Sequence, residues 1–373
     1  MKRRGSFQPN RRPKRVKEGA DRALRSRGFF EVVTDHDIAD VPHCSHGPCL
    51  LFSKKSGGRF FACAIFRSEE ECEFNATLSE TGQITVIRGE IAKEKQEKFY
   101  YAGLLKKLVK IPKTSQVLYC NDCRDIFQDR HACVCYPIKR SQLKYPTQFL
   151  NPLDCQNGEA QFFFSDESLN VVLSAAKSSD CDGVLCIGAP RVFERIRRDK
   201  KSFLLDYDNR LARYFLSTQY AQYSMLVDHF YDPNARSKFE KFLKGCSKLV
   251  LICDPPFGAF IEALMSTIGK IKKTHQKLRS DAIMKSIIIL PMFVGKHVTR
   301  QDPAFWMSDY RVTYDNHKAF ADRTKSIVRL FTDLEPKNLD LKDVEGYKLC
   351  DVCEKYVTEE NQHCFKCQAC TSV

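Results

Sequence analysis

The chain has 373 residues, 43% of them hydrophobic, with 60 Lys and Arg against 46 Asp and Glu and a formal net charge of +14. That length and apolar content exclude a wholly disordered chain and leave room for two or more globular units. No apolar run approaches the roughly 20 residues of a membrane span, and no apolar stretch follows the basic start, so neither a membrane protein nor a secreted one is expected.

The charge is uneven. Residues 1–30 carry 11 Lys and Arg against 2 Asp and Glu, which is +9 of the total. A basic chain of this kind expects a polyanion, most often nucleic acid. Residues 1–39 form a basic head, expected to be disordered over its first 27 positions. Within it, Arg11-Arg12-Pro13-Lys14-Arg15-Val16-Lys17 reads as a nuclear-import signal, a phosphate-binding tail or a solvated basic tail.

Eighteen cysteines are present, thirteen of them in three short clusters with His nearby, at 44–72, 120–135 and 350–370. That grouping points to about three or more zinc ions in a reducing compartment rather than to disulfides. Cys155, Cys181, Cys186, Cys246 and Cys253 are scattered and read as buried thiols.

Residues 40–90 hold the first cluster: Cys44, His46, Cys63 and Cys72, with Cys49 to spare. Four such ligands close a tetrahedral structural zinc site. The Cys-x-His-Gly knuckle, the Gly58-Arg59-Phe60-Phe61-x-Cys63 strand and Cys72-x-Phe74 resemble a GRF-type zinc finger. Such fingers are associated with single-stranded nucleic acid. Arg59, Phe60 and Phe61 pair a charge with stacking faces. Strand alternation puts the two rings on opposite faces and assigns one of them to the core.

Residues 91–147 are expected to hold an amphipathic packing helix over 91–111, then a second finger. Its ligands are Cys120, Cys123, His131 and one further Cys. Cys135 is favoured, because positions i and i+4 share a helix face. Cys133 is the alternative.

Residues 148–335 alternate strand and helix patterns, an α/β reading with a doubly wound sheet of about seven strands. Strands are expected at 161–164, 183–188, 202–206, 224–228, 248–253, 285–290, 309–314 and 326–331. Helices are expected at 167–178, 189–198, 208–220, 234–244 and 258–273. The first central strand hands over to Gly188-Ala189-Pro190-Arg191, a reduced form of the glycine-rich loop. The second ends at Asp206, 18 residues after Gly188, where such folds hold a ribose. The third ends at Asp228-His229-Phe230-Tyr231-Asp232, where an adenine would be read. Each of these acids can equally cap a helix.

The centre of the chain is Lys248-Leu249-Val250-Leu251-Ile252-Cys253 followed by Asp254-Pro255-Pro256-Phe257-Gly258. The apolar run reads as a buried parallel strand. Two prolines end it in a rigid turn, since neither can continue a ladder. A flipped-out adenine or cytosine presents an amine with two N–H donors. The Asp254 carboxylate and the Pro255 carbonyl can accept them, and Phe257 offers a stacking face. The turn resembles the (Asp/Asn)-Pro-Pro-aromatic motif of amino-methylating class I (Rossmann-like) methyltransferases. It implies S-adenosylmethionine as donor and a base nitrogen as acceptor, on DNA or RNA.

Residues 336–373 carry Cys350-x2-Cys353-x9-His363-Cys364-x2-Cys367-x2-Cys370, a dense zinc pattern. It resembles the cysteine-rich segment of the DHHC family, without the Asp-His-His-Cys tetrad of its acyltransferases. By that likeness Cys350, Cys353, His363 and Cys370 complete one site. Cys364 and Cys367 would begin another whose remaining ligands lie beyond Val373.

The order GRF finger, Cys/His finger, methyltransferase domain and DHHC-like segment resembles the zinc-finger CCHC-domain family of ribosomal RNA N6-adenosine methyltransferases. His43 to Pro48, Val184 to Arg191, Leu204 to Asp206, Asp254 to Gly258, Tyr314 to His317 and Glu360 to Cys364 carry the resemblance. It implies methylation of an adenosine N6 in large-subunit (28S-type) rRNA, in the nucleolus and cytoplasm, with an RNA stem-loop as partner. It also implies donor contacts from Gln161, Phe162, Ile187, Gly188, Ala189, Pro190, Arg191, Asp206, Tyr207 and Asp254, and catalytic roles for Asp254, Pro255, Pro256 and Phe257. Two other readings stay open: a DNA amino-methyltransferase, and a zinc-finger RNA adaptor without activity.

Overall fold

The computed structural model describes residues 30–66, 69–92, 98–153 and 161–372. The basic head up to residue 29 and Cys155 lie outside them.

The first finger is a small antiparallel sheet. Strands β1 (Phe30–Val33), β3 (Gly47–Lys54), β4 (Arg59–Cys63), β5 (Asn75–Leu78) and β6 (Ile84–Arg88) follow in that order, and β2 (His43–Cys44) pairs with β3. Alternation along β4 puts the two phenylalanines on opposite faces, and both faces are covered. Phe61 joins the finger's own cluster with Leu51 and Phe74. Phe60 joins Leu50, Phe52, Ala62 and Ala64 against Leu185, Ile187 and Leu205 of the large sheet. Neither ring is left for stacking on nucleic acid; at 4% and 0% exposure both are core.

Among the described residues, the helix expected over 91–111 spans Gly103–Lys110; residues 93–97 of that expectation lie outside them. Ala102 just before it takes the left-handed conformation, φ 52°, which stops the helix there. The second finger follows as β7 (Val117–Cys120), β8 (Asp125–Phe127) and β9 (Cys135–Ile138), ordered β8-β7-β9.

The large sheet is built from β10 (Gly183–Ile187), β11 (Lys201–Asp206), β12 (Tyr220–Ser224), β13 (His229–Phe230), β14 (Lys248–Cys253), β15 (Ile283–Pro291), β16 (Trp306–Met307) and β17 (Val328–Thr332). Their order is β13-β12-β11-β10-β14-β15-β17-β16, with β12, β11, β10, β14 and β15 parallel and β17 antiparallel to β15. The chain reverses between β10 and β14, which opens a crevice at their carboxyl ends. The expected strands at 161–164 and 309–314 reduce to one bridge between Phe164 and Tyr314. The helix expected at 208–220 is a short 3-10 turn, Asn209–Arg213.

Period-two alternation on β10 divides the core. Leu185 and Ile187 face the first finger's side. Val184 and Cys186 face a second cluster that includes Val117, Tyr119 and Ile126 of the second finger. The two fingers thus cover opposite faces of one sheet. Cys181, Cys186, Cys246 and Cys253 are buried thiols, as expected.

The chain ends in two hairpins, β18 (Tyr347–Cys350) with β19 (Lys355–Thr358) and β20 (Asn361–Cys364) with β21 (Ala369–Ser372).

Candidate active site and metal centres

A solvent-open cleft of about 880 Å³ lies at the carboxyl ends of β10, β11, β12 and β14. Its lining includes Gln161, Phe162, Gly188, Asp206, Tyr207, Asp254, Pro255, Pro256 and Phe257. Its walls are mostly apolar with a few convergent polar groups, the character of a small-molecule site.

Gly188 is the tightest point. Its φ is +63°, and a Cβ there would meet the Asp254 carbonyl oxygen at 2.6 Å and the Met225 methyl at 2.8 Å. Gly188 N–H donates to the Leu205 carbonyl at 2.9 Å, and Asp254 N–H to the Ile187 carbonyl at 3.0 Å. The single glycine therefore knits the loop after β10 to the turn after β14. This is a cradle that a side chain would fill, as a close-bound donor requires.

Two carboxylates face this space. Asp206 is 6% exposed. Burial and the neighbouring charge of Asp208 push its carboxyl up to about 7, although it accepts the Asp208 N–H at 2.9 Å. Asp208 itself is spent on structure. It accepts the Arg210 backbone N–H and pairs with the Arg210 guanidinium at 2.6 Å. Burial also holds the Asp254 carboxyl well above the usual carboxylate range, and the Tyr314 hydroxyl, donating to its Oδ1 at 2.9 Å, works the other way. That bond fixes one oxygen of Asp254 and leaves the other to accept.

Aromatic rings back the turn. Phe162 stacks on Phe257 at 5.4 Å, and His317 stacks on Phe320 at 3.9 Å beside them. Tyr314 approaches Phe257 nearly edge-on. One face of Phe257 is thereby occupied.

Four expected donor contacts fall outside the cleft. Ile187, Ala189 and Pro190 are buried behind it. Arg191 is tied to the Phe164 carbonyl, to Asp315 at 2.5 Å and to Asp166 at 3.1 Å, so it fastens the entry segment to the loop. None of residues 228–232, where an adenine is expected, lines the cleft; Tyr223, Ser224, Met225 and Leu226 do. The third strand lies four residues earlier than expected, because Asp228 turns at φ 50° and β13 folds back on β12. Sequence reasoning also missed Ala64, Ile65 and Phe66, which the first finger contributes to the wall.

Three Cys/His groups are assembled, each with its ligand atoms within 4.8 Å of one another. The first is Cys44, His46, Cys63 and Cys72. The His46 Nδ1 lies 3.9 Å from Cys44 Sγ and 3.8 Å from Cys63 Sγ, near the roughly 3.5–3.8 Å edges of a tetrahedron with zinc-length bonds. The last is Cys350, Cys353, His363 and Cys370, as expected. Cys364 and Cys367 stand outside it. The second corrects the expectation. It comprises Cys120, Cys123, His131 and Cys133. His131 lies in a loop rather than a helix, and its two ring nitrogens face different sulfurs. Its Nε2 is 3.1 Å from Cys123 Sγ, while Cys135 sits 3.0 Å from the opposite ring nitrogen.

Comparison with known proteins agrees with this layout. Residues 156–325 match a family described as probable N6-adenine methyltransferase. The rRNA N(6)-adenosine-methyltransferase ZCCHC4 of Homo sapiens is 31% identical over 95% of this chain and 76% of its own length. That of Xenopus tropicalis is 30% identical over 93% of this chain and 78% of its own. These matches cover more than nine-tenths of the chain at about 30% identity, and on that basis the chain belongs to the ZCCHC4 family of N6-adenosine methyltransferases.

Proposed function

We infer that this protein methylates N6 of an adenosine in a stem-loop of large-subunit ribosomal RNA, acting in the nucleolus and cytoplasm where such subunits are built and used. The observation that carries this is the Asp254-Pro255-Pro256-Phe257 turn, set at the end of β14 against Gly188 and Asp206 in one cleft. Family membership supplies the substrate class.

S-adenosylmethionine, when bound, supplies an electrophilic methyl group. Gly188 would admit it closely, and Asp206 would accept from its ribose hydroxyls. The free Asp254 oxygen accepts one amine N–H of the extruded adenine, and the Pro255 carbonyl accepts the other. Both hold the nitrogen lone pair toward the donor. Orientation of this kind is worth roughly 7–11 kcal/mol. The methylated nitrogen is cationic and acidic, so its proton leaves afterwards. The Asp254 carboxylate, made more basic by its burial, would take it.

Methyl transfer from labelled S-adenosylmethionine to matched RNA and DNA stem-loops tests the reading, with products digested to nucleosides. Label in N6-methyladenosine from the RNA alone is expected; label in the DNA alone, or none, overturns it. Asp254→Ala should lower turnover more than a hundredfold with the fold intact. A loss below about 1.4 kcal/mol, one power of ten, would remove Asp254 from its role. Because its carboxyl is held above the ordinary value, turnover should fall on acidification at a pH above about 4, where Asp254 gains a proton and stops accepting.

A further inference from the structure

One wall of the cleft comes from outside the methyltransferase sheet. Ala64, Ile65 and Phe66 face the same space as Asp206, Ser224 and Met225. These three residues directly follow Cys63, the last residue of β4 and a member of the first metal group. Their path is set by that group. The Cys63 sulfur accepts the N–H of Ile65 at 3.4 Å and of Phe66 at 3.3 Å. The His46 ring meets the Phe66 ring edge-on at 4.6 Å. Bonds to sulfur strengthen when it carries the charge of a metal-bound thiolate.

The finger is also fixed from behind. The Tyr231 hydroxyl donates to the His46 carbonyl at 2.5 Å. A Cβ on Gly47 would lie 2.8 Å from that hydroxyl. Leu50, Phe60 and Ala62 share an apolar cluster with Leu185 and Ile187. The metal knuckle cannot rearrange without moving the wall, and the wall cannot retreat without opening the core.

We propose that the first finger is part of the donor site: Ile65 and Phe66 contact S-adenosylmethionine, and zinc held by Cys44, His46, Cys63 and Cys72 sets how tightly the donor binds. The inference rests on reading the cleft as the donor site. It departs from a finger that serves RNA alone, whose metal would leave donor affinity untouched.

Coupling between two sites is reciprocal, so the wild-type full chain tests it directly. Zinc release to a chromogenic chelator is followed with and without saturating S-adenosylhomocysteine. The product should protect one zinc equivalent by about tenfold and leave the others unchanged. Calorimetry then compares variants. Phe66→Ala should keep its full zinc content and bind S-adenosylhomocysteine about tenfold more weakly. Cys72→Ser should lose one equivalent and weaken binding at least as much. The proposal is overturned if no equivalent is protected, or if Phe66→Ala binds like wild type. Asp206→Asn separates the two levels. Wild-type affinity in that variant would discard the donor-site reading itself, whereas a weakened Asp206→Asn beside an unaffected Phe66→Ala would discard only the finger's part.

Discussion

Cys44 and Cys63 of the first metal group are 3% and 4% exposed, whereas Cys350, Cys353, His363 and Cys370 of the last are all only half-buried. The first finger shares an apolar cluster with the large sheet and lends residues to its cleft. The last element rests on the core chiefly through Tyr347, whose hydroxyl accepts the Arg311 N–H at 2.9 Å, and through Asp309, which accepts from Asn361 at 2.7 Å. The turns of its two hairpins are open, with Val352 56% and Phe365 71% exposed. Similar ligand sets therefore do different jobs. A metal in a finger whose other face joins the sheet's core bears on the whole enzyme; a metal in an outlying hairpin pair bears on a surface.

Metal ligands give the largest separation. Structural zinc supplies about 10–16 kcal/mol of folding free energy in isolated zinc-finger peptides. Cys44→Ser should transmit much of that loss to the whole protein and lower the main thermal transition by about 10 °C or more. Cys353→Ser should also lose one zinc equivalent, yet shift the main transition by no more than about 2 °C, because its hairpins melt alone. Equal shifts, read by differential scanning calorimetry, would break the comparison.

Two phenylalanines sharpen it at smaller scale. Phe60 lies between finger and sheet, stacked on Phe52 at 5.2 Å. Phe60→Ala should cost about 3–5 kcal/mol in urea denaturation. Phe365→Ala removes an exposed ring and should change stability by less than about 0.5 kcal/mol. Its effect should fall instead on RNA affinity, by about 1–3 kcal/mol if the ring stacks on a base. Unchanged RNA binding in Phe365→Ala would remove that surface from the RNA path.

The division between what sequence reveals and what it hides follows the same lines. Asp254 to Phe257 was legible because two prolines after an apolar run specify a rigid turn with few alternatives. Gly188 and Asp206 were legible because each closes a strand at a fixed place in an α/β unit. The three metal groups were legible as clusters, since ligand spacing is local. What failed was non-local. Arg191 sits beside the loop in sequence, but Asp315 and Asp166 claim its guanidinium from distant positions. His131 and Cys135 meet at 3.0 Å, yet the ring turns its other nitrogen to Cys123, and Cys133 joins that group from the loop. Phe66 belongs to the cleft only because the finger docks on the sheet, which no periodicity encodes. Tyr314 reaches Asp254 across 60 residues of chain.

A pair of glycines provides the finest test. Both Gly188 and Gly346 have positive φ, +63° and +85°, so alanine at either site pays a similar backbone penalty of about 1–2 kcal/mol. Their surroundings differ. Nothing lies within 4 Å of a Cβ at Gly346, which leads into β18. At Gly188 the Cβ would press on the Asp254 carbonyl oxygen, a backbone atom that cannot swing aside, and on Met225. The displaced atoms belong to the Asp254-Pro255 turn and to the end of β12, both of which line the cleft. Gly346→Ala should therefore leave S-adenosylhomocysteine affinity at the wild-type level and cost only local stability. Gly188→Ala should weaken that affinity by more than about tenfold, a loss of over about 1.4 kcal/mol beyond the backbone term. Calorimetric titration of the two variants side by side decides whether steric closure of the cleft, rather than glycine's freedom alone, is what position 188 requires. Equal affinities would mean that the loop relaxes away from Asp254, and that the contact between the ends of β10 and β14 does not shape the donor site.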